Sequence, residues 1–325
     1  MINEVRLMAY RDNLSDYVIN LIAESNNDPR LTNQFVYQPE IEHNDVVNSV
    51  EDIARDTDIN YVKGLYHRYP GKILIFPTER CLGSCRFCFR KNIISDDTQN
   101  LTLADFDTIE EYILNNGIDE VIFSGGDPFA LDETTFINMI NRIKSIKQVR
   151  LIRIHTRVLT YNPNLISKTF VEGIKGGTPV FMVFHINSHL ELTSVAKEKA
   201  SLLADNGILC FSQTALLHGV NDTEEDLRKL FAELLINKIK PYYLFHPDRV
   251  KGTGHFYIPL KKGISLYNSL YNRISGLAMP IYLFNIPDGY GHCIVDLGGI
   301  LKTDIEGVYQ INTWTGEKLL YNDVQ

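Results

Sequence analysis

Three of the five cysteines in this 325-residue chain, Cys81, Cys85 and Cys88, lie within eight residues. Their C-x3-C-x2-C spacing, with the permissive Gly83 between the first two, allows one short loop to bring three thiolates onto one face of an iron–sulfur cluster. A [4Fe–4S] cube has four irons, and no fourth cysteine lies nearby in the sequence. The spacing therefore predicts a three-thiolate cluster with one iron open to a small-molecule ligand.

Other uses of these thiols fit the sequence less well. A disulfide framework favours an even number of cysteines in a short secreted chain, and neither condition holds here. A structural zinc site requires a fourth ligand, which His67 or His292 could supply only if the fold brings it close. A role as small buried residues would account for one thiol, but not for three beside arginines and a lysine.

The residues around the cysteines resemble those of a known superfamily. The pattern C-x3-C-x-aromatic-C, with Phe87 before the third cysteine, is similar to the signature of the radical S-adenosylmethionine (SAM) enzymes. The resemblance implies that SAM chelates the open iron and that an electron cleaves it to a 5′-deoxyadenosyl radical, which abstracts hydrogen from a substrate. It also implies an electron donor such as flavodoxin or ferredoxin. The wider run resembles the lysine 2,3-aminomutase branch, at His67-Arg68-Tyr69-Pro70, Thr78-Glu79-Arg80-Cys81 and Cys88-Phe89-Arg90.

The composition is that of an ordinary globular protein, with 44% apolar and 22% charged residues. A net charge of −8 argues against nucleic-acid binding, and the lack of a run of about 18 apolar residues argues against a membrane span. The first residues lack the apolar core of a signal peptide. Clustered thiols in such a chain predict a reducing, cytoplasmic location. The resemblance is compatible with a homo-oligomer, because members of the family often assemble.

Hydrophobic patterning predicts an α/β fold. From Lys72 onward, short apolar strands alternate with amphipathic helices, which indicates βα units and a parallel sheet. We predict a partial (βα)6 TIM-like radical SAM barrel at residues 67–286, a helical N-terminal extension at 1–66 and a small C-terminal β cap at 287–325. The predicted barrel strands are Lys72–Phe76, Glu120–Phe123, Val149–His155, Pro179–His185, Ile208–Thr214 and Pro241–Phe245.

Shorter patterns fall in the two flanking segments. Apolar residues at helical spacing predict a helix at Leu14–Glu24 and, more weakly, another at Asp45–Arg55. In the tail, Val308–Trp314 and Lys318–Tyr321 predict a hairpin, with Thr315-Gly316 as its turn.

Polar motifs follow the predicted strands, where barrel enzymes place their chemistry. Ser124-Gly125-Gly126-Asp127 resembles the family motif that binds the amino group of SAM, and paired glycines allow close approach of the backbone. The resemblance further implies that His185 and Gln213 contact the ribose or carboxylate of SAM. Arg157 either binds a carboxylate or pairs with an acid of the barrel. The SAM-binding residues are thus predicted to be Phe87, Ser124, Gly125, Gly126, Asp127, His185 and Gln213.

A second group of residues resembles the substrate site of the aminomutase branch. Asp248 matches the aspartate that pairs with the distal ammonium of lysine, and Arg90 matches the arginine that binds the α-carboxylate in a bidentate way. Asn285 replaces a second substrate-binding aspartate. Arg68 and Tyr69, with Lys72 in place of an arginine, match positions that line the region of pyridoxal phosphate (PLP). They could bind an anion or only cover the base of the barrel.

The strongest departure from the family is His292, which stands where the aminomutases have the lysine that holds PLP. Histidine lacks a primary amine and cannot form an imine with PLP. We therefore predict a radical SAM enzyme that acts on a small amino-acid-like substrate without lysine-bound PLP, as an epimerase, dehydrogenase, lyase or mutase. Cys293, beside His292, is a catalytic candidate because a thiol can deliver a hydrogen atom. The rival hypotheses are an aminomutase with non-covalent PLP and a non-catalytic regulator that binds a cluster or SAM.

Overall fold

The main body of the protein is a ten-stranded sheet in which each strand pairs with the next along the chain. The structure is a computed structural model that describes residues 14–42, 49–91, 100–287, 289–295, 300–306, 308–312 and 317–322. The ten strands are β1 Asn60–Val62, β2 Leu65–Tyr69, β3 Lys72–Ile75, β4 Glu120–Phe123, β5 Leu151–Thr156, β6 Val180–His185, β7 Leu209–Ala215, β8 Ile239–Phe245, β9 Ile281–Asn285 and β10 His292–Ile294.

Strands β3 to β9 run parallel, whereas β1, β2 and β10 pair antiparallel at the two ends of the sheet. Among the described strands, the edges β1 and β10 do not pair with each other, so the sheet stays open. The partial TIM-like barrel is therefore confirmed, and β9 adds a seventh parallel strand to the predicted six. The α-helices are α1 Asp16–Glu24, α2 Pro29–Phe35, α3 Leu103–Asn115, α4 Glu133–Ser145, α5 Val158–Tyr161, α6 Lys168–Ile174, α7 Ser194–Asp205, α8 Glu224–Ile236 and α9 Leu260–Leu270.

Capping residues fix where the crossover helices begin. Thr102 and Asp105 form a reciprocal capping box at the start of α3, and the Thr223 side chain accepts from the backbone of Asp226 at the start of α8. Each of these helices buries one apolar stripe, which packs on the outer face of the sheet.

Strand β5 shows how the two faces of the sheet differ. Ile152 and Ile154 are fully buried under the helices, whereas Arg153 and His155 point to the other face and line an internal cavity. Side chains alternate along a strand, so one sequence supplies both the core and the cavity wall.

The N-terminal segment is only partly helical in the described residues. Helix α1 agrees with the predicted helix, but residues 49–55 form no helix, and the start of that prediction lies outside the described residues. Val50 instead bridges to Val250 through hydrogen bonds with Arg249 and Lys251. The sheet itself begins at Asn60, ahead of the boundary predicted at residue 67.

The C-terminal tail contains a separate antiparallel sheet of β11 Ile300–Lys302, β12 Val308–Asn312 and β13 Lys318–Asn322. The pairing of β12 with β13 matches the predicted hairpin, whose turn at Thr315-Gly316 lies outside the described residues. Strand β10 lies within the residues predicted to form the cap, but it pairs with β9 and belongs to the main sheet. A capping role for the tail stays a prediction. Within the described part of the chain, no helix is long and apolar enough to cross a membrane.

Candidate active site

One cavity of about 670 Å³ lies against the inner face of the sheet. The loops after β3, β4, β5 and β8 contribute to its wall, as do the ends of β6 and β9. Carboxyl ends of parallel strands meet at one edge of a sheet, which is why motifs far apart in sequence converge here. Of the predicted site residues, those that line the cavity are Arg68, Tyr69, Cys81, Cys85, Phe87, Cys88, Arg90, Ser124, Gly125, Gly126, Asp127, His185, Gln213, Asp248, Asn285 and His292.

The cluster region of the cavity, as we call it, consists of the three cysteines, Phe87 and Arg157. None of the three cysteines forms a disulfide. Cys85 Sγ accepts a hydrogen bond of 2.9 Å from Arg157 and lies 3.1 Å from the hydroxyl of Tyr161. The described residues contain no group of three His, Cys, Asp or Glu side chains placed to hold one metal ion. A cluster assignment therefore depends on the cysteine spacing, the cavity and the hydrogen bonds to sulfur.

The cysteine loop is tied to the N-terminal segment through Arg86. The backbone of Arg86 donates to Gln34, and its guanidinium donates to the Asn33 carbonyl at 2.7 Å and to the Glu42 carboxylate at 2.5 Å. Both side chains of the Arg86–Glu42 ion pair are 4% exposed. The segment at residues 33–42 thus positions the loop that carries the thiols.

The glycine pair after β4 packs against the chain just before the first cysteine. A Cβ on Gly126 would overlap the carbonyl of Arg80, and one on Gly125 would lie 2.8 Å from Phe76. Gly125 also has a φ of 107°, in a region that favours glycine. The close approach predicted for a ligand is therefore made, in this structure, to the protein backbone. It joins the Ser124–Asp127 loop to the cysteine loop.

Asp127 is occupied by protein donors. Its carboxylate accepts from the Thr156 hydroxyl at 2.8 and 2.9 Å, from the backbone of Arg157 at 2.7 Å and from that of Phe129 at 3.0 Å. Burial raises the pKa of Asp127 to about 6, although these hydrogen bonds oppose the rise. The side chain fixes the end of β5, and through it the start of the turn that carries Arg157.

The sequence left two roles open for Arg157, binding a ligand carboxylate or pairing with an acid of the barrel, and in the structure it pairs with an acid of the barrel. Its guanidinium donates to Glu191 at 2.9 Å and to Gln34 of α2 at 2.6 Å, in addition to Cys85. Although burial alone would raise the pKa of Glu191, Arg157 and several hydrogen-bond donors hold it below its usual value. The pair is therefore charged and buried, with Arg157 at the cavity wall.

Two histidines and a glutamine form the wall at β5, β6 and β7. Gln213 pairs with His185 in the sheet register, and its side-chain amide donates to His155 Nδ1 at 2.9 Å. Burial lowers the pKa of His185 to about 3 and that of His155 well below its usual value, so both rings are neutral. Within the described residues, Nε2 of each ring is buried without a hydrogen-bond partner. Such orphaned groups fit a site that a polar ligand completes.

The substrate region, as we call it, consists of Arg90, Asp248, Asn285 and His292. Arg90 Nε donates at 2.8 Å to Asp56, a carboxylate of the N-terminal segment that also pairs with Arg68 at 3.5 Å. Arg90 therefore enters the cavity already paired with an acid. A substrate carboxylate would share this arginine with Asp56 or replace it.

Asp248 and Asn285 contact each other directly. The amide of Asn285 donates to both carboxylate oxygens of Asp248, at 3.0 and 3.2 Å. Burial raises the pKa of Asp248 to about 6, while Asn285 and the charge of Arg90 oppose the rise. Among the described residues no cation forms an ion pair with Asp248, and a buried carboxylate in this situation gains most from a positively charged ligand.

His292 lies among aromatic rings and cations. Its ring centroid is 5.9 Å from Tyr69, 6.2 Å from Tyr243 and 6.4 Å from Phe245. Burial, together with the charges of Lys72, Arg153 and Arg68, lowers the pKa of His292. The Lys72 ammonium lies 4.7 Å from the Tyr69 ring centroid.

Arg68 is largely committed to holding the chain together. Its guanidinium donates to the backbone carbonyls of Gly289 and Ala54, which joins the loop before β10 to the N-terminal segment. The predicted role of Arg68 in binding a substrate anion is not supported by these contacts, although the side chain lines the cavity.

The structure does not bring Cys293 into the cavity. It is exposed on β10, and it is absent from the cavity wall to which its neighbour His292 contributes. Successive residues of a strand point to opposite faces, so the two side chains diverge. We therefore give Cys293 no further role in hydrogen-atom transfer.

Several residues to which the sequence assigned no role belong to the site or contact it, namely Asp56, His155 and Tyr161 in the cavity wall and Gln34 and Glu191 against Arg157. His155 carried a usable signal, because it lies two residues from Arg153 on a strand that ends in polar residues. The acids Asp56 and Glu191 carried none, since they meet their arginines only through the tertiary fold.

Comparison with known proteins shows the family of the chain. The Radical SAM superfamily model matches residues 75–232, which contain the cysteines and strands β4 to β7. A solved structure of a radical SAM methyltransferase from Sphaerobacter thermophilus covers 68% of this chain and 68% of its own, at 17% identity and a TM-score of 0.45. That structural similarity is too low to carry a conclusion.

Among curated relatives, the L-lysine 2,3-aminomutase of Acetoanaerobium sticklandii is 31% identical over 280 residues, which are 86% of this chain and 67% of that protein. The L-lysine 2,3-aminomutase of Methanococcus maripaludis is 35% identical over 243 residues, 74% of this chain and 56% of that protein. The glutamate 2,3-aminomutase of Clostridioides difficile is 32% identical over 257 residues, 79% and 61% respectively. The chain belongs to the lysine 2,3-aminomutase-like branch of the radical SAM superfamily, as predicted. It spans 56% of the length of the Methanococcus relative.

Proposed function

We propose that this radical SAM enzyme cleaves SAM at a [4Fe–4S] cluster held by Cys81, Cys85 and Cys88, and abstracts hydrogen from a small amino-acid-like substrate without lysine-bound PLP. The observation that carries the proposal is a single cavity lined both by the three thiols and by Asp248, Asn285 and Arg90. The cluster and SAM, when bound, supply the radical that takes the hydrogen. The chain's own residues bind SAM and the substrate.

The chain's residues support SAM binding beside the cysteines. Phe87 offers an aromatic face 5.4 Å from the ring of His185, and both line the cavity. The orphaned Nε2 of His185 and the amide of Gln213 offer polar contacts to a ribose or carboxylate. The backbone of the Ser124–Asp127 loop, fixed by the glycine pair, offers carbonyls for an ammonium.

The substrate region supports a zwitterionic ligand. Asp248, with Asn285, offers a buried negative charge to an ammonium group, and Arg90 offers a planar donor pair to a carboxylate. Binding would bring a cation to Asp248 and lower its pKa, so recognition is strongest where the carboxyl group is ionised.

The position of His292 supports chemistry without the lysine-bound PLP of the aminomutases. A neutral imidazole among Tyr69, Tyr243 and Phe245 cannot condense with an aldehyde. In the described part of the chain, Lys72 is the lysine that lines the cavity. Any imine with PLP in this cavity would therefore form at Lys72.

The test is an anaerobic substrate screen with the reconstituted enzyme, SAM and dithionite, with and without PLP. We expect 5′-deoxyadenosine formation stimulated by one or more amino acids, equally well without PLP, and deuterium from the labelled substrate in the 5′-deoxyadenosine. Absolute dependence on PLP would overturn the proposal. No 5′-deoxyadenosine under any condition would instead favour the non-catalytic regulator.

An aminomutase with PLP is the second candidate, favoured by the names of the relatives and by the position of Lys72. Borohydride reduction after PLP addition tests for a form of this candidate in which Lys72 holds PLP, whereas the dependence of product formation on added PLP separates a non-covalent form from the first proposal. Under the first proposal no pyridoxyl adduct appears on the peptide that contains Lys72. An adduct there, together with a β-amino acid product, would support the second candidate.

A further inference from the structure

Two side chains from the short helical turn after β5 contact the sulfur of Cys85. Arg157 Nη1 donates to it at 2.9 Å, and the Tyr161 hydroxyl lies 3.1 Å away. Arg157 is 5% exposed and Tyr161 2% exposed, so water screens their contacts with Cys85 only weakly. A thiolate at this position has no hydrogen to give, which makes Tyr161 the donor.

The Arg157 guanidinium has little freedom to leave this position. It lies 4.7 Å from the Phe35 ring centroid and 4.9 Å from that of Phe87. Its other nitrogen donates to Gln34 and to Glu191, whose carboxylate also accepts from the hydroxyl of Thr160. The cation is thus held between two rings, one acid and one thiol.

A cation at this place has a definite electrostatic effect. Uptake of an electron makes an iron–sulfur cluster more negative, and hydrogen bonds to its sulfurs together with nearby charge set its reduction potential. Arg157 and Tyr161 stabilise negative charge on Cys85, whereas the carboxylate of Glu191 acts in the opposite sense. Coulomb interactions are much stronger in a buried region than in water.

We propose that Arg157 and Tyr161 are positioning residues that raise the reduction potential of the cluster through Cys85, with Glu191 limiting the rise. This inference rests on the proposed cluster. The step concerned is the transfer of one electron from a low-potential donor, of the flavodoxin or ferredoxin class, to the oxidised cluster. The donor loses that electron, and no bond in this chain is made or broken.

The test is a redox titration of the reconstituted full-length enzyme, followed by electron paramagnetic resonance. For Arg157→Gln we expect the equilibrium constant of one-electron reduction to fall at least about tenfold, which corresponds to a midpoint about 59 mV lower. For Arg157→Lys, which keeps the charge, the equilibrium constant should fall less. Tyr161→Phe should lower the constant by about threefold, the effect of one lost hydrogen bond. Glu191→Gln should shift the midpoint upward.

A purely structural role predicts a different result. It lowers the iron content of the Arg157 variants but leaves the midpoint of the loaded fraction unchanged. Tyr161→Phe conserves shape and will fold even if an Arg157 variant does not. Arg142→Gln, in an outer network with Asp107 and Glu110, is the matched control and should equal wild type.

The possible failures are distinguishable. If wild type loads no cluster, the proposed function itself is wrong. If wild type loads a cluster and cleaves SAM, but Tyr161→Phe and every loaded Arg157 variant keep its midpoint, only this inference is overturned.

Discussion

The two regions of the cavity are built from different parts of the chain. The cluster region takes its thiols from eight consecutive residues, and buried pairs such as Arg86–Glu42 and Arg157–Glu191 hold it in place. The substrate region combines Arg90, which pairs with Asp56 of the N-terminal segment, with Asp248 after β8, Asn285 at the end of β9 and His292 on β10. The first region identifies the family. The second is the region to which we assign the substrate, and it contains His292, the strongest departure from the aminomutase pattern in the sequence.

The largest expected effect is in the cluster region. Replacement of Cys81, Cys85 and Cys88 together by alanine should abolish iron binding and 5′-deoxyadenosine formation, because three thiolates are the ligands that the chain offers. Iron analysis and product chromatography after anaerobic reconstitution check this. The matched control is Cys210→Ala, a buried thiol that lies outside the cavity wall and should leave both unchanged. Full iron loading of the triple variant would refute the cluster assignment.

The next effect is in the substrate region. Asp248→Asn removes the negative charge but conserves shape, so kcat/KM for an amino-acid substrate should fall by about tenfold to a hundredfold. SAM binding should not change, because its proposed contacts lie elsewhere in the cavity. Calorimetric titration of SAM beside substrate kinetics separates the two. Equal losses of SAM affinity and of kcat/KM would show that the two regions of the cavity are not independent.

The pair that links the cysteine loop to the N-terminal segment should contribute to folding. Arg86→Met removes the closest partner of the buried Glu42 carboxylate and leaves it the more distant Lys91 ammonium, at 3.8 Å, so it should cost about 3 kcal/mol of unfolding free energy. The comparison is Arg142→Met, which removes a partly exposed ion pair worth about 1 kcal/mol or less. Urea unfolding of the cluster-free protein measures both. Similar losses of unfolding free energy in the two variants would contradict the role of residues 33–42 in positioning the cysteine loop.

A pH profile tests the buried carboxyl group. The raised pKa of Asp248, about 6, leaves it mostly neutral below that pH, where it pairs poorly with an ammonium. We expect kcat/KM to rise as the pH increases through about 6 and then to level off. The Asp248→Asn variant should lack this step. A wild-type profile that is flat from pH 5 to 8 would be evidence against recognition of an ammonium by Asp248.

The smallest expected effect is a gain. His292→Lys places a primary amine beside Tyr69 and Tyr243 and should yield a borohydride-stable pyridoxyl adduct that wild type lacks. Mass spectrometry of the peptide that contains position 292 detects it. An adduct on wild type at Lys72, or none on the variant, would show that the position of PLP differs from that of the relatives.

The sequence predicted the parts of this molecule that depend on local patterns. Alternating strands and helices gave the parallel sheet, because amphipathic periods reflect which face is buried. The family resemblance named Gln213, His185 and Asp248, and they meet in one cavity because parallel strands share one carboxyl edge.

The details that local patterns did not predict depend on tertiary contacts. Val50 pairs with Val250 instead of continuing a helix. Arg68 donates to two backbone carbonyls, and Cys293 lies outside the cavity wall. No spacing in the sequence encodes that Asp56 meets Arg90 or that Glu191 meets Arg157, because each pair joins segments far apart in the chain.

The most direct measurement is a single anaerobic reconstitution, with iron, sulfide and 5′-deoxyadenosine determined on the same sample. We predict about four irons and about four sulfides per chain, followed by 5′-deoxyadenosine when SAM and reductant are added. A protein that takes up no cluster, or one whose complete cluster leaves SAM intact, would contradict the assignment of the cysteine loop and with it the function proposed for the cavity.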